Sequence, residues 1–121
     1  RKLNVTYLFI GHDLAIVRYM STDVGVMYLG QLVEIGSAAQ VFSRALHPYT
    51  RQLLAAGADE TPIGALGVQG DLPSPINLPA GCRFHTRCPF ATEICSQQAP
   101  ALREMHSGHF GRCHHMERIN A

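Results

Sequence analysis

Tryptophan is missing from this chain, and aromatic residues fill only 7% of its 121 positions. So few flat rings leave no platform on which bases could stack, and nucleic acid is not an expected partner. Charge is scarce as well. Charged residues make up 16%, and the formal net charge is +1. No field of one sign draws the chain to a phosphate backbone or an anionic membrane surface. No apolar run reaches the roughly 20 residues that a bilayer-spanning helix needs. The opening stretch RKLNVTYLFIGHD carries a short apolar run without a small-residue cleavage site, so a signal peptide is not expected. A cytosolic setting, in which thiols stay reduced, is the expectation. Cysteine is absent from the first 81 residues.

All four cysteines, Cys82, Cys88, Cys95 and Cys113, fall in the last 40 residues, spaced C-x5-C-x6-C-x17-C. A short, loop-rich tail that buries little apolar surface needs a staple. Thiolates suit zinc or an iron–sulfur cluster, and an even count also permits two disulfides. A reducing setting favours metal over disulfides. Structural zinc sites bring paired C-x2-4-C knuckles, and none occurs here, so zinc is the weaker metal reading. His85, His106, His109, His114 and His115 surround the cysteines and are expected to be mostly solvated. Arg83, Arg87 and Arg112 neighbour three of the thiols, as surface charge or as an offset to thiolate charge.

The front of the chain reads differently. Val5 to Ile10 is a near-continuous apolar run, the pattern of a strand buried on both faces of a parallel sheet. Gly11-His12-Asp13 follows, then Leu14 to Met20 at helical spacing with Asp13 as N-cap. The partner strands are missing, so the chain reads as the back end of a larger domain. Val24 to Tyr28 and Leu32 to Ile35 read as two strands joined at Leu29-Gly30-Gln31, with a turn that places Gly first. Ser37-Ala38-Ala39-Gln40 is a capping-box pattern opening a helix through Phe42. His47 and Tyr49 read as packing and capping residues at a helix start. Pro48 fits its first turn, the helix runs Tyr49 to Ala56, and Gly57 is its C-cap. From Gly57 to Gly81, recurring Gly and Pro mark a linker or extended arm. One further helix is expected from Ala99 to Met105, behind Pro100.

The stretch VTYLFIGHDLAIVRYMSTDVGVMYLGQLVEIG resembles the end of an ATP-binding cassette (ABC) ATPase domain. HPYTRQLL followed by GDLPSPINLPAGCRFHTRCPFATEIC resembles the C-terminal extension of the oligopeptide/dipeptide/nickel importer ATPases. The resemblance implies an α/β fold, the C-terminal part of a P-loop ABC ATPase domain, followed by a loop-rich extension. It divides the chain into 1–56, the end of the nucleotide-binding domain, and 57–121, the four-cysteine extension. His12 falls at the switch histidine that contacts the γ-phosphate; Gly11 stands where Ser is common. Walker A, signature and Walker B motifs are lacking, so these residues alone should not hydrolyse ATP.

The implied complete subunit binds ATP and Mg2+ and pairs with a second ABC ATPase subunit. It drives two transmembrane permease subunits, supplied by a periplasmic or extracellular peptide-binding protein. It sits peripherally on the cytoplasmic face of the cell membrane. Some members of the family carry a [4Fe-4S] cluster on cysteines at these four positions. The competing reading is a stand-alone metal- or iron–sulfur-binding interaction module without an ATPase role.

Overall fold

The computed structural model describes residues 14–59 and 76–120. The expected strand from Val5 to Ile10, His12 and the Asp13 cap lie outside the described residues, as does most of the Gly- and Pro-rich arm. Helix α1 (Leu14–Met20) leads into strands β1 (Asp23–Tyr28) and β2 (Gln31–Ser37). The two strands pair antiparallel from Asp23↔Ser37 to Tyr28↔Gln31. Their loop is Leu29–Gly30, with φ of 48° and 76°. Two successive positive φ values define the type I′ turn, whose twist matches that of the flanking strands. Glycine therefore takes the second turn position rather than the first, and Gln31 belongs to β2.

The capping box forms as its residues dictate. Ser37 Oγ accepts the Gln40 N–H at 3.1 Å and Gln40 Oε1 accepts the Ser37 N–H at 3.0 Å, opening α2 (Ala38–Ser43). Helix α3 (Pro48–Asp59) begins at the proline, and His47 Nδ1 accepts the Tyr49 N–H at 3.0 Å as its cap. Gly57 lies inside α3 rather than after it. A single glycine costs a helix only about 1 kcal/mol, which the surrounding alanines tolerate.

The tail departs most from the expected pattern. A 3-10 turn covers His85–Arg87, and α4 spans Glu93–Gln97. Where a helix is expected from Ala99 to Met105, Arg103–His106 forms strand β3 instead, turning at Ser107–Gly108 into β4 (His109–Gly111). α5 (Met116–Ile119) follows. Strand β4 pairs with β2 through Glu34↔Gly111 and Ile35↔Phe110. One antiparallel sheet of order β1-β2-β4-β3 thus joins the two ends of the described chain. Pairing of β3 with β4, itself held by β2, overrides local helix propensity here.

Two apolar clusters lock the sheet to its surroundings. Phe84, from the tail, is buried with Tyr28 and Val33 of the hairpin. Its ring centroid lies 5.1 Å from that of Tyr28 edge-on, 5.5 Å from Tyr49 and 5.7 Å from His47. Aromatic pairs at these separations add about 0.5–1.5 kcal/mol each beyond their area. Leu46, Cys113 and Met116 form the second cluster. The tail therefore has an apolar core of its own, shared with the hairpin, and is not mechanically separate from it.

Candidate functional site

Cys82, Cys88, Cys95 and Cys113 line one small cavity, together with His47, Phe84 and the rings of His85, His114 and His115. Local backbone geometry brings them there. The Cys82 N–H donates to the Cys95 carbonyl at 2.7 Å. Gly81 stands at φ 71°, and a Cβ there would press into the Cys95 and Ser96 backbone, so this approach requires glycine. The 3-10 turn carries the chain from Cys82 to Cys88, α4 presents Cys95, and Cys113 follows β4.

Two of the sulfurs accept backbone donors. Cys88 Sγ accepts the Phe90 N–H and Cys95 Sγ the Thr92 N–H, both at 3.4 Å. The backbone at Phe84 and His85 acts to lower the Cys82 pKa, and that at His115 to lower the Cys113 pKa. Thr92 and His115 are themselves tied together, Thr92 Oγ1 to His115 Nε2 at 2.6 Å. Such amide donors stabilise thiolate over thiol and tune whatever the thiolates bind. Burial acts the other way and is stronger. It pushes Cys82 up, Cys113 up to about 11 and Cys88 up to about 12, with neighbouring thiols adding to the rise. Thiols so placed stay protonated and inert at neutral pH unless a metal displaces the proton. All four are free thiols. Among the described residues no group of three or more His, Cys, Asp or Glu side chains could hold a metal ion.

The flanking histidines and arginines take other roles than expected. His109 is fully buried rather than solvated, and its Nε2 donates to Glu34 Oε2 at 2.7 Å. His85 bonds the Cys82 carbonyl at 2.8 Å and His114 the Gln98 carbonyl at 2.6 Å. Arg83 donates to the Leu29 carbonyl and Arg112 to the Leu32 carbonyl, each at 2.7 Å. These two guanidiniums clip the tail to the hairpin instead of offsetting thiolates. Sequence reasoning passed over Glu34. The signal was present: a lone acidic residue inside the apolar run of β2 must find partners when buried. Its carboxylate accepts the Leu46 N–H at 3.0 Å and the His47 N–H at 2.9 Å besides His109.

His47 is nearly inaccessible, and burial lowers its pKa from 6.5 to about 3. A depressed folded-state value means that the unfolded chain binds the extra proton. The His47 contribution is therefore complete above pH 6.5 and is lost as pH falls toward 3. The raised thiols act oppositely: their contribution is complete below pH 9 and is lost as pH rises toward 12. The reduced, metal-free protein is expected to melt highest between these limits. A melting temperature that holds level from pH 7 down to pH 4 would contradict a neutral, buried His47.

Residues 33–95 match the family model described as oligopeptide/dipeptide transporter, C-terminal region. Over 118 residues the chain is 45% identical to the oligopeptide transport ATP-binding protein AppF of Bacillus subtilis, covering 93% of this chain and 36% of that protein. Over 122 residues it is 43% identical to the di/tripeptide transport ATP-binding protein DppF of Pseudomonas aeruginosa, covering 98% of this chain and 38% of that protein. The chain thus spans little more than a third of the length of these curated relatives. The matched residues run from β2 through the His47 turn to Cys95, so three of the four cavity cysteines lie inside the match, and the chain belongs to the family of oligopeptide/dipeptide transporter C-terminal regions.

Proposed function

We propose that this chain is the C-terminal part of the ATP-binding subunit of an ABC importer that takes up oligopeptides or dipeptides. The observation that carries this reading is similarity, over more than nine-tenths of this chain, to relatives named as peptide transport ATP-binding proteins. Residues 1–56 close the P-loop nucleotide-binding domain, and 57–121 form the extension. The complete subunit binds MgATP against a second ATPase subunit and drives two permease subunits. These receive peptide from a binding protein outside the membrane. Attachment to the cytoplasmic face is peripheral; among the described residues no helix is long and apolar enough to cross a membrane.

In this reading His12 is the switch residue. Phosphoryl transfer is catalysed by positioning and charge stabilisation, and an imidazole that meets the γ-phosphate and the attacking water supplies both. His12→Ala in the complete subunit is expected to depress ATP turnover strongly while nucleotide affinity stays near the parental value, because the contact belongs to the reacting state. Turnover at the parental rate would reduce His12 to a turn residue and weaken the ATPase reading.

The four cysteines are proposed to hold a [4Fe-4S] cluster. Support comes from their convergence on one cavity and from the amides that donate to the Cys88 and Cys95 sulfurs. A tetrahedral zinc ion would need all four sulfurs about 2.3 Å from one centre, whereas a cubane spreads its thiolates over separate irons. With all four thiolates engaged no position stays open for substrate, so the role is structural or redox-sensing.

A further inference from the structure

Two of the four cysteines are joined more closely than a shared cavity requires. The Cys82 N–H donates to the Cys95 carbonyl at 2.7 Å. Across a backbone hydrogen bond of that length, standard bond lengths and angles hold the two Cα atoms about 5–6.5 Å apart. A disulfide spans Cα atoms roughly 4.4–6.8 Å apart, so the backbone need hardly move to admit one. Gly81 keeps the approach tight, because a Cβ there would collide with the Cys95 carbonyl oxygen. Both side chains line the same cavity, so their sulfurs face one space.

The other two cysteines are held differently. Among the described residues no backbone hydrogen bond joins Cys88 or Cys113 directly to another cysteine. The Cys113 carbonyl accepts from Arg103 Nη2 at 2.9 Å, and the Arg112 N–H before it donates to the Val33 carbonyl at 2.8 Å. Cys113 is thereby tied to the strands rather than to the other thiols. Access also differs within the close pair. Cys82 is half-buried and Cys95 is buried, so an oxidant from solvent meets Cys82 first, with Cys95 behind it.

We propose that Cys82 and Cys95 are a reversible redox pair, oxidised to an internal disulfide by a low-molecular-weight disulfide when the site holds no metal. The Cys82 sulfur attacks one sulfur of the small disulfide, whose S–S bond breaks. One small thiol leaves with the proton that Cys82 gives up, and a mixed disulfide remains on Cys82. The Cys95 sulfur then attacks the Cys82 sulfur and expels the second small thiol, which takes the Cys95 proton. Two protein thiols are oxidised and one small disulfide is reduced to two thiols, so no further electron acceptor is needed. This deepens the reading of the cysteine site given above, although the pairing itself needs no cluster. Its consequence is a lock: with two of the four thiols bonded to each other, the cavity cannot be filled until the bond is reduced.

The intact protein, reduced and freed of metal, is incubated with glutathione disulfide and digested without reductant, and the disulfide-linked peptides are read by mass spectrometry. The Cys82–Cys95 link is expected to exceed every other cysteine pair roughly tenfold, and dithiothreitol to return all four thiols. In Cys95→Ser the exchange should stop halfway, with glutathione retained on Cys82. A predominant link through Cys88 or Cys113, an even spread over the cysteine pairs, or glutathione adducts in the parent without an internal bond would overturn the pairing. The parental peptide map decides even where Cys95→Ser fails to fold. Iron and sulfide in the anaerobic preparation test the cluster reading alone, because the map is read on metal-free protein.

Discussion

Glu34→Ala is expected to cost about 3–5 kcal/mol of folding stability, because it strands several buried hydrogen-bond donors at once. The cost comes less from the bonds lost than from the groups stranded. The Leu46 and His47 amides and the His109 Nε2 all point at this carboxylate in a site closed to water. Each buried donor left unpaired carries a penalty of about 1–3 kcal/mol. Total stability for a domain is only about 5–15 kcal/mol, so the variant approaches the edge of folding. Glu34→Gln keeps an acceptor for the two amides and should lose markedly less. Urea unfolding with far-ultraviolet circular dichroism measures both. A Glu34→Ala midpoint equal to that of the parent would mean that the turn before α3 stands without Glu34.

The second large effect concerns the cysteines. Prepared without oxygen, the intact protein is expected to be brown and to carry about four iron and four sulfide per chain. Cys95→Ser should lose most of both, since a buried ligand that no longer binds as thiolate opens the site. The damage should also spread into the hairpin. Phe84 packs on Tyr28 and Tyr49, and β4 is hydrogen-bonded to β2, so a loosened tail exposes the β2 edge. Amide exchange should therefore quicken at Val33 and Ile35 as well as after Gly81. Zinc in place of iron would refute the cluster and keep the staple. Unchanged iron in Cys95→Ser would remove Cys95 from the ligand set.

Much of the hairpin half was legible because its signals are local. Two short apolar segments around Leu29-Gly30-Gln31 gave β1 and β2, Ser37 with Gln40 gave the capping box, and Pro48 marked the start of α3. His47 was recognisable as a cap. What escaped depends on partners far along the chain. Arg103–His106 reads as helix until β4 is beside it, and β4 is held by β2. Glu34 and His109 make sense only as a pair 75 positions apart. The cysteines pointed to a shared site by their count and clustering, but their cavity wall includes His47 and Phe84, which no cysteine spacing reveals.

The order β1-β2-β4-β3 also bears on how the protein is made. Strand β2 is central, with one neighbour supplied at once by a two-residue turn and the other by residues 109–111. During synthesis the hairpin emerges and forms within microseconds, but its second edge waits while about 75 further residues leave the ribosome, several seconds at ordinary translation rates. Closing so long a loop is the slow, non-local step that limits sheets of high contact order. Through that interval β2 offers unpaired backbone to any other nascent strand. The tail thus completes the hairpin last, and chains released short of residue 109 would carry that open edge permanently.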